Sequence, residues 1–305
     1  MNLDFSEMRI LLTGANGFVG TYVQQQIACD HFQDGHGASI DLRNAEQVAQ
    51  GVAAIAPDAV IHLAAQSFVP ESFKNPLHTY EVNFLGTLNL LAALKENGFR
   101  GRMLYVGSSD TYGLVDPTSL PVVEDAPLRP RNPYAVSKVA AEALCYQWSQ
   151  TEPFEVVMVR PFNHIGPGQS ERFVISDFAH QVMEIKGGLR PPPIRVGDID
   201  VTRDFTDVRD VVRAYALLLE RGGNGEAYNV CSRQERSVRS ILEALLRLAD
   251  VEAEIVQDAD RVRQSEQRRV FGSFAKLHDA TGWQPEIPFE QSLKDILTDW
   301  EKKLL

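Results

Sequence analysis

Tyr134, Lys138 and Ser108 are residues of the types that move a proton in step with a hydride. Tyr134 and Lys138 stand four apart in Asn132-Pro133-Tyr134-Ala135-Val136-Ser137-Lys138. That run reads as a helix start, because Asn132 can cap and Pro133 suits the first helical position. The pair then shares one helix face. An ammonium beside a phenol stabilises the phenolate, so Lys138 is expected to lower the Tyr134 pKa from its usual value of about 10. Tyr134 can then serve as an acid towards a carbonyl or a base towards an alcohol. Ser108, in Gly107-Ser108-Ser109-Asp110, ends a strand-like run and can hydrogen-bond the same oxygen. Singly, a Tyr at a helix start and a helix Lys are ordinary surface chemistry; together with Ser108 and a place for a hydride carrier they form a constellation.

That place is the run Thr13-Gly14-Ala15-Asn16-Gly17-Phe18-Val19-Gly20, which follows a strand and opens a helix. Gly14 allows a tight turn, Gly17 the close approach of backbone to a pyrophosphate, and Gly20 close packing of helix on strand. The whole turn, with Asn16, Phe18 and Val19 between the glycines, is expected to bind NADPH or NADH through the amides of the helix N-terminus. An acid at the end of the second strand ordinarily holds the adenosine ribose. Asp41 stands at that distance, but 29–37 is polar and glycine-bearing, so the second strand is short or missing. Asp41 and Leu42 are therefore open to either role, ribose or adenine, and the two cofactors are not separated.

Positioning these groups takes alternating strands and helices. Short apolar runs at Arg9 to Thr13, Ala59 to Ala64, Arg102 to Ser108 and Glu155 to Pro161 read as buried parallel strands. Helical patterns lie between them at Phe18 to Ala28, Pro76 to Asn97 and Pro133 to Gln150. The fold class expected is α/β, a doubly wound parallel sheet with ligands beyond the carboxyl ends of its strands, where Thr13, Ala65 and Ser108 fall. Residues 1–162 form the dinucleotide-binding part, and 163–305 a smaller substrate lobe with helices at Val208 to Glu220, Val238 to Ala249 and Phe289 to Lys303; 205–230 is open to returning to the first part.

Composition removes other classes. A formal net charge of −11 argues against nucleic-acid binding, which needs concentrated Lys and Arg. No apolar run approaches the roughly 20 residues that span a bilayer, and a secretory leader pattern is lacking, so a cytoplasmic protein is expected. The cysteines Cys29, Cys145 and Cys231 are far apart and read as reduced. No spacing suits a metal, and His62 and His164 read as packing or loop residues.

With these motifs the chain resembles the extended short-chain dehydrogenase/reductase family, whose fold is Rossmann-type: GxxGxxG at Gly14, Gly17 and Gly20, YxxxK at Tyr134 and Lys138, and Ser108. His62-Leu63-Ala64-Ala65-Gln66, the run Arg160 to Gln169 and Arg203-Asp204-Phe205-Thr206-Asp207-Val208 are similar to the branch that modifies nucleotide-linked sugars. Within it, the wording of Phe162 to Gln181 and Gln257 to Arg269 is similar to the GDP-4-dehydro-6-deoxy-D-mannose reductases, which make GDP-D-rhamnose. The resemblance implies hydride transfer from NAD(P)H to carbon 4 of a GDP-linked sugar, with Tyr134 as acid and Lys138 also on the nicotinamide ribose. It lays Leu63, Ala64 and Ala65 along the cofactor. It places Ser109, Asn163, Val174 and Arg203 at the sugar nucleotide, with Arg263 and Glu266 gripping phosphate and ribose. Both of those last contacts suit the chemistry of guanidinium and carboxylate. Arg261, Arg263, Arg268 and Arg269 form the expected anion clamp in an otherwise acidic chain. Pairing of Pro76 to Asn97 and Pro133 to Gln150 with their copies implies a homodimer.

Asp110 separates the reactions. The 4,6-dehydratases resemble this chain but carry Glu there, to take a proton beside carbon 5; Asp is one methylene shorter, which leaves Asp110 an auxiliary role. A GDP-mannose type dehydratase and a 4-epimerase remain the alternative enzymes. A non-catalytic dinucleotide-binding regulator is the alternative of another class, since fold alone does not establish catalysis.

Overall fold

The computed structural model describes residues 5, 7–34, 37–261 and 267–304. Its strands are β1 (Ile10–Thr13), β2 (Asp30–His31), β3 (Ala59–His62), β4 (Arg102–Val106), β5 (Glu155–Pro161), β6 (Asn163–Ile165), β7 (Ile194–Val196), β8 (Thr202–Asp207), β9 (Ala227–Val230), β10 (Glu235–Ser237) and β11 (Ile255–Gln257). The α-helices are α1 (Phe18–Gln26), α2 (Ala45–Ile55), α3 (Val69–Lys74), α4 (Pro76–Tyr80), α5 (Gly86–Glu96), α6 (Pro133–Thr151), α7 (Val174–Lys186), α8 (Val208–Arg221), α9 (Val238–Ala249), α10 (Ala275–Thr281) and α11 (Phe289–Leu304).

Parallel pairing in the order β2-β1-β3-β4-β5-β9 makes the main sheet, the doubly wound α/β architecture that the strand and helix alternation requires. The strands β1 and β3 are fully buried, and β4 and β5 are buried at their centres, because they are covered on both faces. Leu12, Ile61, Leu104 and Val157 join Val211 and Tyr215 of α8 on one face. Leu11, Val60, Met103 and Val156 pack with Leu90, Leu94 and Cys145 on the other. Apolar runs without alternation are the sequence consequence of that double cover. The strand β9 pairs Ala227 to Val230 with Met158 to Pro161, so the later part of the chain closes the sheet edge.

Beyond β5 the chain builds two small sheets, β10-β8-β6 and β11-β7. They lie with α7, α9 and α11 around a separate apolar cluster that includes Phe178, Val182, Leu242, Leu245, Ile296 and Trp300. The helical pattern Pro76 to Asn97 is not one regular helix. Its centre, Glu81–Leu85, winds as a π-turn between α4 and α5. Such an insertion often marks a functional region. None of the described helices is long and apolar enough to cross a membrane.

Candidate active site

Gly14 leaves β1 with a φ of +76°, in the left-handed region, and a Cβ on it would lie 2.8 Å from the Ala64 amide nitrogen. The first turn and the end of β3 thus touch through backbone, and Thr13 Oγ1 accepts from the Ala64 N–H at 3.2 Å. A Cβ on Gly20 would sit 2.2 Å from the Gly14 carbonyl oxygen. Gly17 caps α1 with no side-chain bond, so the first amides of the helix are left to an outside acceptor. A Cβ there would meet nothing nearer than that same carbonyl oxygen, at 3.3 Å. This is a cradle that fits a dinucleotide diphosphate. Asn16 Nδ2 donates to Ser39 Oγ at 3.0 Å, the Phe18 ring lies parallel to His164 with centroids 6.1 Å apart, and Val19 packs against the core.

The second reading point differs from expectation. The strand β2 is two residues long, and its register sets His31 opposite Leu12. Asp41 lies well past that strand, half exposed, its carboxylate paired at 2.6 Å with Arg43, which holds it below the usual carboxylate range. Asp41 is therefore not an acid at a strand end, because the strand stops ten residues earlier. Leu42 is buried, with its carbonyl accepting from Asn89 Nδ2 at 2.8 Å.

Tyr134, Lys138 and Ser108 converge. Asn132 caps α6 by accepting from the Ala135 N–H at 2.7 Å, with Pro133 in the first turn. Ser108 follows β4 and caps the 3₁₀ turn Ser109–Tyr112, its Oγ accepting from the Asp110 N–H at 3.1 Å. The Tyr134 hydroxyl faces Ser108, which favours its charged form. Lys138 Nζ donates to the Val106 carbonyl at the end of β4, at 2.8 Å, and lies 6.0 Å from the Tyr134 ring centroid. All three are buried, Lys138 to 4% exposure.

Their electrostatics correct the expected one. Burial pushes the Tyr134 phenol up, the charge of exposed Asp110 adds to the rise, and the Ser108 hydrogen bond opposes it. Burial also draws Lys138 down to about 8. Lys138 thus does not lower the phenol below its ordinary value in the chain alone, because desolvation disfavours both charged forms. What results at neutral pH is a protonated Tyr134, an acid rather than a base.

A buried polar chain behind these groups joins residues whose pairing the sequence does not show. Thr13 Oγ1 and Thr87 Oγ1 bind His62 Nδ1 and Nε2 at 2.7 and 3.0 Å. In the π-turn, Asn83 accepts from the Gln66 N–H at 2.8 Å and donates to Ser137 Oγ at 2.9 Å, between Tyr134 and Lys138. The loop after β3 is thereby tied to the part of α6 that carries Tyr134 and Lys138. Burial, with the Lys138 charge adding to it, lowers the His62 pKa to about 3. The folded pKa lies below the unfolded value of about 6.5, so between them the unfolded chain binds more protons. Stability from this group is full above pH 6.5 and is lost as pH falls towards 3. Thermal melts are expected to show a smaller loss of Tm between pH 7.5 and pH 4.5 in His62→Gln than in the unsubstituted protein; equal losses would exclude His62 as a source.

The expected substrate residues do not converge in the same way. Asn163 is exposed, with Nδ2 donating to the Asp204 carbonyl at 3.2 Å. Val174 opens α7 at 43% exposure, and Arg203 donates to the neighbouring Thr202 carbonyl at 2.7 Å. Ser109 is half-buried beside Ser108. Arg263 and Glu266 lie outside the described residues. The other arginines of the expected clamp are already paired: Arg261 with Asp177, Arg268 with Asp198 and Arg269 with Glu235, at 2.7, 2.8 and 2.7 Å. Their carboxylates come from α7, the loop before β8 and β10, which spacing along the chain does not reveal.

Known proteins fit this geometry. The family described as GDP-mannose 4,6 dehydratase matches residues 34–296. A GDP-6-deoxy-D-mannose reductase of Pseudomonas aeruginosa is 51% identical over 97% of this chain and 98% of its own. Among solved structures, RMD from Pseudomonas aeruginosa complexed with NADPH superposes with a TM-score of 0.92 at 50% identity, covering 97% of this chain and 100% of that one. The UDP-glucose 4-epimerase of Thermus thermophilus in complex with NAD follows at 0.84 and 28%, covering 98% and 100%.

Proposed function

The chain belongs to the family described as GDP-mannose 4,6 dehydratase, in the sugar-nucleotide branch of the extended short-chain dehydrogenases/reductases, and from that premise we propose that it reduces the 4-keto group of GDP-4-dehydro-6-deoxy-D-mannose to GDP-D-rhamnose with NADPH or NADH. The observation that carries this reading is Tyr134, buried beside Ser108, with burial pushing its phenol pKa up. Reduction of a carbonyl needs an acid at the oxygen, and a protonated phenol is one. The reductase relative, alike along nearly the whole chain, supports the same choice.

When bound, the dihydronicotinamide supplies a hydride to carbon 4. Gly14, Asn16, Gly17, Phe18, Val19 and Gly20 would hold the dinucleotide by its diphosphate, with Asp41 and Leu42 at its adenosine and Leu63, Ala64 and Ala65 along it. Tyr134 gives its proton to the forming alkoxide, and Ser108 donates to that oxygen. Lys138, cationic at pH 7 with its pKa near 8, offsets the charge left on Tyr134 and reaches the cofactor ribose. Ser109, Asn163, Val174, Arg203, Arg263 and Glu266 take the sugar nucleotide. Asp110 is auxiliary: its carboxylate is one methylene shorter than the dehydratase base, and its charge adds to the rise in the Tyr134 pKa that burial causes.

Incubation with GDP-4-dehydro-6-deoxy-D-mannose is expected to oxidise one NADPH per sugar consumed, followed at 340 nm. Retained NAD(H) with no net NADPH consumption would instead indicate a dehydratase or epimerase, which regenerate their cofactor.

Residues 1–162 serve as the dinucleotide-binding part, with 205–230 contributing to its sheet, and the remainder of 163–305 as the substrate lobe. The free thiols Cys29, Cys145 and Cys231 suit a reducing cytoplasm. The working unit is a homodimer through the face that leaves Leu77 and Leu85 exposed beside Val136 and Tyr146 of α6. Sedimentation is expected to give a dimer at micromolar concentration, and Leu85→Asp to shift it towards monomer; a monomer without substitution rejects the assembly.

A further inference from the structure

Tyr134, Lys138 and Glu142 recur every fourth residue on α6, so all three lie along one stripe. The first two face the reaction. Glu142 is buried one turn deeper, and Arg160, the penultimate residue of β5, forks it with bonds of 2.9 Å from Nε and 2.6 Å from Nη2. The same guanidinium donates from Nη1 to the Tyr112 hydroxyl at 2.9 Å. Tyr112 closes the 3₁₀ turn that Ser108 opens, and its hydroxyl in turn donates to Asn229 Oδ1 at 2.7 Å. Glu142 also reaches the other end of that segment, since a Cβ on Gly107 would lie 3.5 Å from its Oε2. One buried cation therefore holds the helix that carries Tyr134 and the turn that carries Ser108.

We propose that Arg160 is a positioning residue that sets the geometry between Tyr134 and Ser108, and so controls proton delivery to the sugar oxygen. The inference rests on the reductase reading. A buried pair retained at this place is costly to desolvate and is weak evidence for stability alone. Its distinctive property is its planar fork: two N–H groups meet one carboxylate while a third reaches a separate segment, a geometry that the single ammonium of lysine does not reproduce. Small displacements of reacting groups are expensive, of the order of 10²-fold for about 1 Å.

The test uses the full chain with NADPH and GDP-4-dehydro-6-deoxy-D-mannose. Arg160→Lys keeps the charge and loses the fork; Tyr112→Phe keeps the Arg160–Glu142 pair and loses the tie to the turn together with the bond to Asn229. Each is expected to lower kcat by about tenfold or more, with the sugar KM and the NADPH dissociation constant little changed and the solvent deuterium isotope effect on kcat increased. If Arg160→Lys does not fold, Tyr112→Phe alone decides. Wild-type kcat in the folded variants overturns the proposal. So does a loss of kcat matched by a loss of NADPH affinity, which is what general loosening would produce. Absence of reduction by the unsubstituted protein defeats the underlying reaction instead, and appears in the control.

Discussion

Tyr134→Phe is expected to lower turnover by about 10²–10⁴-fold while leaving NADPH affinity unchanged. Only the hydroxyl is removed. The ring remains in a site that is 9% exposed, and Lys138 keeps its bond to the Val106 carbonyl, because that bond does not involve the phenol. The exchange adds no bulk and leaves Ser108 its bond from the Asp110 N–H, so the variant should fold. The large effect comes from the missing proton: Asp110, the acid next to Ser108, is exposed and acts on the phenol through its charge. Steady-state kinetics and fluorescence titration with NADPH separate the two quantities. Turnover near that of the unsubstituted protein would remove Tyr134 from the reaction.

Gly20→Ala is expected to abolish measurable binding of the dinucleotide and to destabilise the fold. The added Cβ would lie 2.2 Å from the Gly14 carbonyl oxygen and 2.7 Å from that of Ala15. Both are backbone atoms of the turn itself, so neither can swing aside; α1 must move away from β1. Its first amides then leave the position where they meet the diphosphate. Gly17→Ala is the informative companion. Its Cβ would meet only one atom, at 3.3 Å, so the chain tolerates it with slight adjustment and the loss should be seen in affinity rather than in Tm. Melting curves with titrations of NADPH distinguish the two. A Gly20→Ala protein that binds NADPH normally would show that the helix does not need this close approach.

Much of the framework was legible because it depends on local pattern. Uninterrupted apolar runs identify β1, β3, β4 and β5, Pro133 and Asn132 set the start of α6, and the helices over 208–221 and 238–249 follow from their apolar stripes. Less was legible where elements are short or depend on distant partners. The segment Asp30–His31 pairs with β1 for only two residues, and β6 and β10 are three residues each, held by pairing with β8. The π-turn within Pro76 to Asn97 is likewise invisible to a helical periodicity, although Asn83 uses it to reach Ser137.

For the site, the order of residues along the chain determined its chemistry: glycines at intervals of three after a strand, a Tyr and Lys one helical turn apart, and a Ser at the next strand's end. These are constraints of covalent spacing, and any fold of this pattern must respect them. Tertiary structure decided the energetics. Lys138 was expected to pull the Tyr134 pKa down, but burial raised it, and solvent exclusion is not written in spacing. The arginines 261, 268 and 269 looked like a cluster of free charge, yet carboxylates from other elements meet each of them. Glu142 sits on the same helical stripe as Tyr134 and Lys138, but its partner Arg160 is eighteen residues away in β5. Spacing places side chains on a face; only packing of distant segments decides what that face meets and how much water remains there.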